Sequence, residues 1–145
     1  MRAETYLDRI KKIDVLILNK MREHRRWVDS AEGLSGAAFG ERVQSSRNLH
    51  RGADAIINYT VLEGEINALE TEKQNIIHTI ERLPSVEYDI LHKLYVGKYD
   101  KKLDRMQYDS LKDIAYQYKK SYDWAKKKKQ RAVRLLGAVL DEQGI

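Results

Sequence analysis

The sequence contains no cysteine, which excludes a disulfide framework, an iron–sulfur cluster, a thiol nucleophile and any cysteine-ligated zinc site. A reducing, cytoplasmic setting is the default for such a chain. Proline occurs once, at Pro84, and glycine is limited to 8 of 145 residues. Turn-rich all-β folds need many more breakers than this, whereas a chain with few of them and 34% charged residues reads as long solvated helices. Long apolar runs are also missing. The longest, residues 135–140, is far below the roughly 20 residues that span a bilayer, and the segment after Met1, Arg2, Ala3 and Glu4 holds no apolar signal core. At 17.0 kDa there is room for one modest core plus an extended element.

The charge is unevenly placed. Lys plus Arg number 27 against 22 Asp plus Glu, a net +5, yet residues 1–84 are balanced at 13 against 13 and residues 85–145 carry 14 against 9. Within residues 119–134 eight cations (Lys119, Lys120, Lys126, Lys127, Lys128, Lys129, Arg131, Arg134) face the single acid Asp123. A sequence pI near 9.3 with its excess gathered on one segment is the footprint of a protein that meets a polyanion; the plainer alternative is a solvated basic helix.

Two apolar stripes dominate the first half. Tyr6, Ile10, Ile13, Ile17, Met21, His24 and Val28 recur at steps of three and four, so residues 4–30 are expected to form one helix. Ala55, Tyr59, Leu62, Ile66, Leu69, Lys73, Ile76, Ile80 and Leu83 repeat in the heptad manner. Each helix would be roughly 40–45 Å long at about 1.5 Å per residue, and each must pair with the other, with another subunit, or with both. Residues 31–52, with Gly33, Gly36, Gly40 and Gly52, are expected to be the connecting loop of an antiparallel hairpin. Lys73 on the second seam is expected to snorkel its ammonium to water, the alternative being a polar layer that sets register. His24 is expected to be a packed or half-exposed core histidine.

Pro84 marks the one clear boundary, with Ser85 placed to cap a helix over residues 86–96 that Gly97 stops. Residues 98–109 read as a polar loop holding a short turn near Leu103 and Met106. Then comes a short helix bearing Leu111, Ile114, Ala115 and Tyr118, two lysines, and Ser121 opening a longer helix whose inner face is Ala125, Ala132, Val133, Leu136 and Leu140. Two helices joined by so short a turn, with a small residue where they cross, suit a helix-turn-helix.

The runs "YDILHKLYVG" at residues 88–97 and "SLKDIAYQYKKSYDWAKKKKQRAVRLL" at residues 110–136 resemble sigma-factor region four and the related helix-turn-helix of phage-encoded transcription regulators of the ArpU and RinA type. "GERVQSS" at residues 40–46, between the long helices, is similar to a segment of phage and prophage regulators from Gram-positive bacteria. The sequence departs from the sigma pattern at Lys119, where such turns carry Gly, at Lys128, where an inward aliphatic is usual, and in a longer 98–109 loop.

The expected fold is therefore all-α: a long antiparallel, coiled-coil-like helical hairpin (residues 1–84, with loop 31–52) followed by a small helix-turn-helix domain (residues 85–145). The resemblance implies a sequence-specific, double-stranded-DNA-binding transcription regulator of a phage or mobile element, at work in the cytoplasm of a bacterial host. In motifs of this kind the second helix enters the major groove, which places Ser121, Tyr122, Asp123, Trp124, Lys127 and Gln130 nearest the bases. Lys119, Lys120, Lys126, Lys129, Arg131 and Arg134 would contact phosphates. For Trp124, groove contact and packing against the helix that begins at Val86 stand level; Tyr122 is expected to be exposed. Self-association as a homodimer through residues 4–83 and contact with RNA polymerase are the expected protein interactions. The alternatives are a small-terminase-like packaging protein and a helical protein that captures a host or phage factor.

No catalytic residue, metal site or cofactor is expected. His24, His50, His78 and His92 lack paired ligand spacing, Asp100 and Asp104 read as solvated, and no Walker-type loop or nucleophile elbow is present.

Overall fold

The computed structural model describes residues 2–40 and 46–144, with side chains for residues 2–31 and 52–144. The protein is mostly helical. Helices α1 (Arg2–Gly40) and α2 (Ser46–Ile80) form a long antiparallel hairpin, followed by α3 (Ser85–Tyr95), strands β1 (Lys98–Asp100) and β2 (Arg105–Gln107), α4 (Leu111–Tyr118) and α5 (Tyr122–Gln143). These elements fall into two compact units, Leu16–Glu70 on the one hand and Met1–Val15 with Thr71–Ile145 on the other. Pro84 thus ends a turn inside the second unit, and the units part at residues 15/16 and 70/71 instead.

Both long helices extend beyond the spans that apolar periodicity marks. Helical backbone continues through residues 31–40 and resumes at Ser46, so residues 31–40 and 46–52 of the expected connector are helical; residues 41–45, most of the 40–46 motif, lie outside the described residues. Glycine lowers helix propensity by only about 1 kcal/mol per residue, too little to stop a helix rich in Ala, Leu and Glu. At the other end α2 stops at Ile80, earlier than Leu83, and the chain tightens through Arg82 N–H to Thr79 O (3.3 Å) and Leu83 N–H to Ile80 O (3.0 Å). Pro84, not Ser85, occupies the cap position of α3, with φ −54° and ψ 152° and no side-chain cap bond. Proline is pre-set for that geometry, and Ser85 becomes the first helical residue.

Within Leu16–Glu70 the facing residues are Ile17 of α1 and Ala55, Leu62 and Ile66 of α2, all buried. Lys20 reaches Glu65 at 2.6 Å, and His24 reaches Glu63 at 2.9 Å while meeting the Tyr59 ring edge-on at 5.5 Å. Falling α2 numbers against rising α1 numbers are the signature of antiparallel pairing. His24 is the half-buried packed histidine expected.

The other unit is built around a buried carboxylate. Asp14 is 3% exposed; its Oδ1 lies 2.5 Å from Lys73 Nζ and its Oδ2 accepts from Tyr108 Oη at 3.0 Å. Lys73 is therefore half of a polar layer and does not snorkel. Beside it Leu7, Ile10, Ile13, Ile80, Ile90 and Leu91 are almost fully buried, and Lys11 lies over both the Tyr95 and Tyr108 rings at 5.1 and 4.8 Å. Burial, together with Asp14, drives the Tyr108 phenol well above its ordinary range, so it stays a hydrogen-bond donor to Asp14. Gly97 permits this seating, since a Cβ there would lie 2.9 Å from the Tyr108 ring.

Residues 98–109 are not a plain loop. β1 and β2 pair antiparallel with Tyr99 opposite Met106, and in the turn Asp100 Oδ1 accepts from Lys102 N–H at 2.9 Å. Removing either member of the buried pair leaves the other's charge uncompensated. Asp14→Ala or Lys73→Ala should each lose about 3–5 kcal/mol of stability in urea unfolding, whereas Asp14→Leu combined with Lys73→Met should recover most of that loss. A deficit as large in the double variant as in the single ones would show that the intact pair itself supplies the lost stability and that an uncompensated charge is not its cause.

Candidate nucleic-acid interface

The two helices after the β-hairpin are each started by a hydroxyl. Ser110 caps α4 in a reciprocal box: its Oγ accepts from Asp113 N–H at 3.2 Å, and Asp113 Oδ2 accepts from Ser110 N–H at 2.9 Å. Those bonds hold the exposed Asp113 carboxyl below its ordinary range. Ser121 caps α5 by accepting from Trp124 N–H at 3.1 Å, so its hydroxyl already has a structural task. Between them Lys119 closes α4 with φ 55° and ψ 43°, the left-handed conformation, and its N–H meets Tyr116 O at 3.1 Å. A left-handed position that glycine adopts most readily is occupied here by lysine, at a conformational cost of about 1–2 kcal/mol.

Ile114 and Ala115 of α4 and Ala125, Ala132, Leu136 and Leu140 of α5 are buried, with Leu111, Tyr118 and Val133 half-buried. These are the residues that periodicity assigns to the inner faces. α3 packs on both helices, and a polar cluster joins it to α4. Tyr118 Oη donates to Asp89 Oδ2, Lys93 lies 3.1 Å from Asp89 and donates to Gln117 Oε1 at 2.6 Å, and Gln117 Nε2 donates to Asp109 at 3.2 Å. Desolvation first, then the bond to Asp89, pushes the Tyr118 phenol up to about 12.

The expected base-proximal residues do not all face solvent. Tyr122 is 50% exposed, and Asp123, Lys127 and Gln130 are exposed, with Asp123 and Lys127 paired at 3.2 Å. Trp124 is half-buried with its ring 5.3 Å from that of Tyr118, so it packs on α4. At about 100° per residue, Asp123, Lys127, Gln130 and Arg134 share one outward stripe, opposite Ala125, Ala132 and Leu136.

The expected phosphate contacts divide likewise. Lys119, Lys120, Lys126 and Arg134 are exposed. Lys129 is half-buried with its ammonium 5.9 Å from the Tyr95 ring centre, because its position seven residues before Leu136 turns it toward the core side. Arg131, itself exposed, directs Nε to Glu87 Oε1 at 3.3 Å, and Lys128 approaches the same oxygen at 3.6 Å. Glu87 is 4% exposed, an acid at the start of α3 that sequence patterning did not single out. It gives the half-buried Lys128 a partner of opposite charge.

Among the described residues no group of three or more His, Cys, Asp or Glu side chains is placed to hold a metal ion, and no helix is long and apolar enough to cross a membrane. Comparisons with protein-family models, with curated proteins and with solved structures found no match.

Lys119→Gly should raise stability by about 0.5–1 kcal/mol, relief of the left-handed strain being partly offset by the freer unfolded glycine chain. Thermal unfolding of the two proteins checks this, and a loss of stability would mean that the lysine side chain holds the turn. The phenol of Tyr118 makes a separate prediction. Its folded pKa of about 12 lies above the ordinary value near 10, so its stabilising contribution is complete below about pH 10 and is lost as pH rises toward 12. Ultraviolet titration should show late-ionising phenols, Tyr108 among them, whose number falls by one in Tyr118→Phe; an unchanged curve would exclude the Asp89 bond.

Proposed function

We propose that this protein is a sequence-specific double-stranded-DNA-binding transcription regulator that acts on the gene expression of a phage or mobile element. The observation that carries this reading is the outward stripe of α5: Asp123, Lys127, Gln130 and Arg134 stand free of the core on a helix whose start is set by the Ser121 cap. Lys119 and Lys120 sit in the turn just before it, and Lys126 flanks it. Stripe, turn and cap together offer a duplex what a recognition helix offers: polar ends at base depth and cations beside the backbone.

The roles divide by chemistry. Gln130 can pair with an adenine edge, and Asp123 can accept from a cytosine amino group once Lys127 releases it to a phosphate. Lys119, Lys120, Lys126 and Arg134 neutralise phosphates. Tyr122, at the first turn, contacts sugar or base. Trp124 positions α5 on α4 through Tyr118 and makes no base contact of its own.

Duplexes selected from a random pool by the full-length protein should share a sequence. With about four to five phosphates neutralised, the slope of log affinity against log salt should be about −4. Gln130→Ala should lose about 1–3 kcal/mol on the selected duplex and little on random DNA. Lys126→Ala should weaken both alike and flatten the slope by about one unit. Lys129→Ala, whose ammonium lies over Tyr95, should leave the slope nearly unchanged. Binding absent at low salt, or insensitive to salt, would overturn the reading.

A further inference from the structure

The heptad seam of α2 is consumed within the hairpin, since Ala55, Leu62 and Ile66 are buried in the single chain. The opposite face of the same stretch is bare. Ala53, Ile57, Thr60, Val61, Gly64 and Ala68 follow one another at steps of four, three, one, three and four along it, and every one is exposed. Ile57 and Val61 are 60% and 55% exposed, and Ile56 at the edge 49%. In a chain with 34% charged residues, this strip carries no charge. The acids of the region lie on its flanks, and two are already matched by the hairpin's own first helix, Glu65 by Lys20 and Glu63 by His24.

The spacing is a palindrome. Its centre falls between Thr60 and Val61, and reversal exchanges Ala53 with Ala68, Ile57 with Gly64, and Thr60 with Val61. We infer that α2 packs antiparallel on the α2 of a second copy of this chain across a twofold axis at residues 60 and 61. In that register Ile57, the largest side chain of the strip, meets Gly64, and Val61 meets Thr60. A Cβ at Gly64 would touch nothing within 4 Å, which leaves an open hollow for Ile57 of the second copy, while the alanines at the ends let the helices approach closely. A twofold contact sets the same patch against itself, so any charge on the strip's midline would face its own image. The strip has none, and in this register Asp54, Glu63 and Glu65 fall opposite Asn67, Asn58 and Ile56. A helix from an unrelated protein has no reason to obey this symmetry, and a second copy obeys it by construction.

Sixteen residues of helix give a contact about 24 Å long, which makes a modest interface and a dimer that depends on concentration. The test is molar mass, and because it is read without DNA it stands or falls apart from the proposed function. Sedimentation of the full-length protein at rising concentration should approach twice the 17.0 kDa chain mass. Gly64→Leu, which fills the hollow and favours helix, should return the protein to monomer with undiminished helicity by circular dichroism. Adding Ile57→Ala to Gly64→Leu exchanges knob and hollow and should restore the dimer. In a chain without cysteine, Val61→Cys should cross-link two copies on mild oxidation and Asp54→Cys should not. A protein that stays monomeric up to its solubility limit overturns the inference and leaves the strip to a different protein. A dimer indifferent to Gly64→Leu overturns it equally, since the copies would then meet elsewhere.

Discussion

An aspartate out of water needs partners that cannot drift, and Asp14 takes them from two distant places in the chain. Lys73 comes from α2, and Tyr108 from the segment after β2. Apolar seams alone tolerate sliding, because a leucine one turn along is still a leucine. Moving α2 by one turn would carry Lys73 about 5.4 Å from the carboxylate and strand a buried charge, which is far costlier than any change in apolar contact. The register of α1 against α2 at this end, and the seating of Tyr108 on Gly97, therefore depend on one carboxyl group.

The helix-turn-helix segment is held by a second set of polar contacts of a different kind. Tyr118, Asp89, Lys93 and Gln117 link α3 to α4 near the surface, and Ser110 and Ser121 set where the two helices begin. The single strained residue of this segment, Lys119, stands between them. Both neighbouring helices are capped or packed independently, so the surroundings can hold a lysine in a conformation that glycine adopts more readily. Strain of this sort persists where the local structure over-determines the backbone, and here it places a cation directly before α5.

How much of this is legible in the residues depends on the distance over which each feature is decided. The hairpin and the two inner faces of α4 and α5 are readable because helical periodicity is a local signal repeated over many turns. Helix ends are less so: the glycines of residues 31–52 look like a loop, yet propensity alone does not decide. Three-residue strands such as Lys98–Asp100 are shorter than any alternation that could announce them. Lys73 looks like an ordinary snorkelling lysine because its partner lies 59 positions away. For the same reason Glu87 and its cations Lys128 and Arg131 are invisible in advance, as is the inward turn of Lys129. The outward stripe of α5 could be read as a spacing; which of its neighbours were already engaged could not.

Glu87 gives the basic segment a direction. Six cations spread evenly around a helix would surround it with nearly the same potential on every side. One buried carboxylate draws Lys128 and Arg131 toward α3, and the Tyr95 ring holds Lys129. Lys126, Lys127 and Arg134 remain on the far side. The cations left unengaged by the neighbouring elements therefore lie on the outward side of the helix. An acid hidden at the start of one helix thereby sets the direction of charge on a different helix.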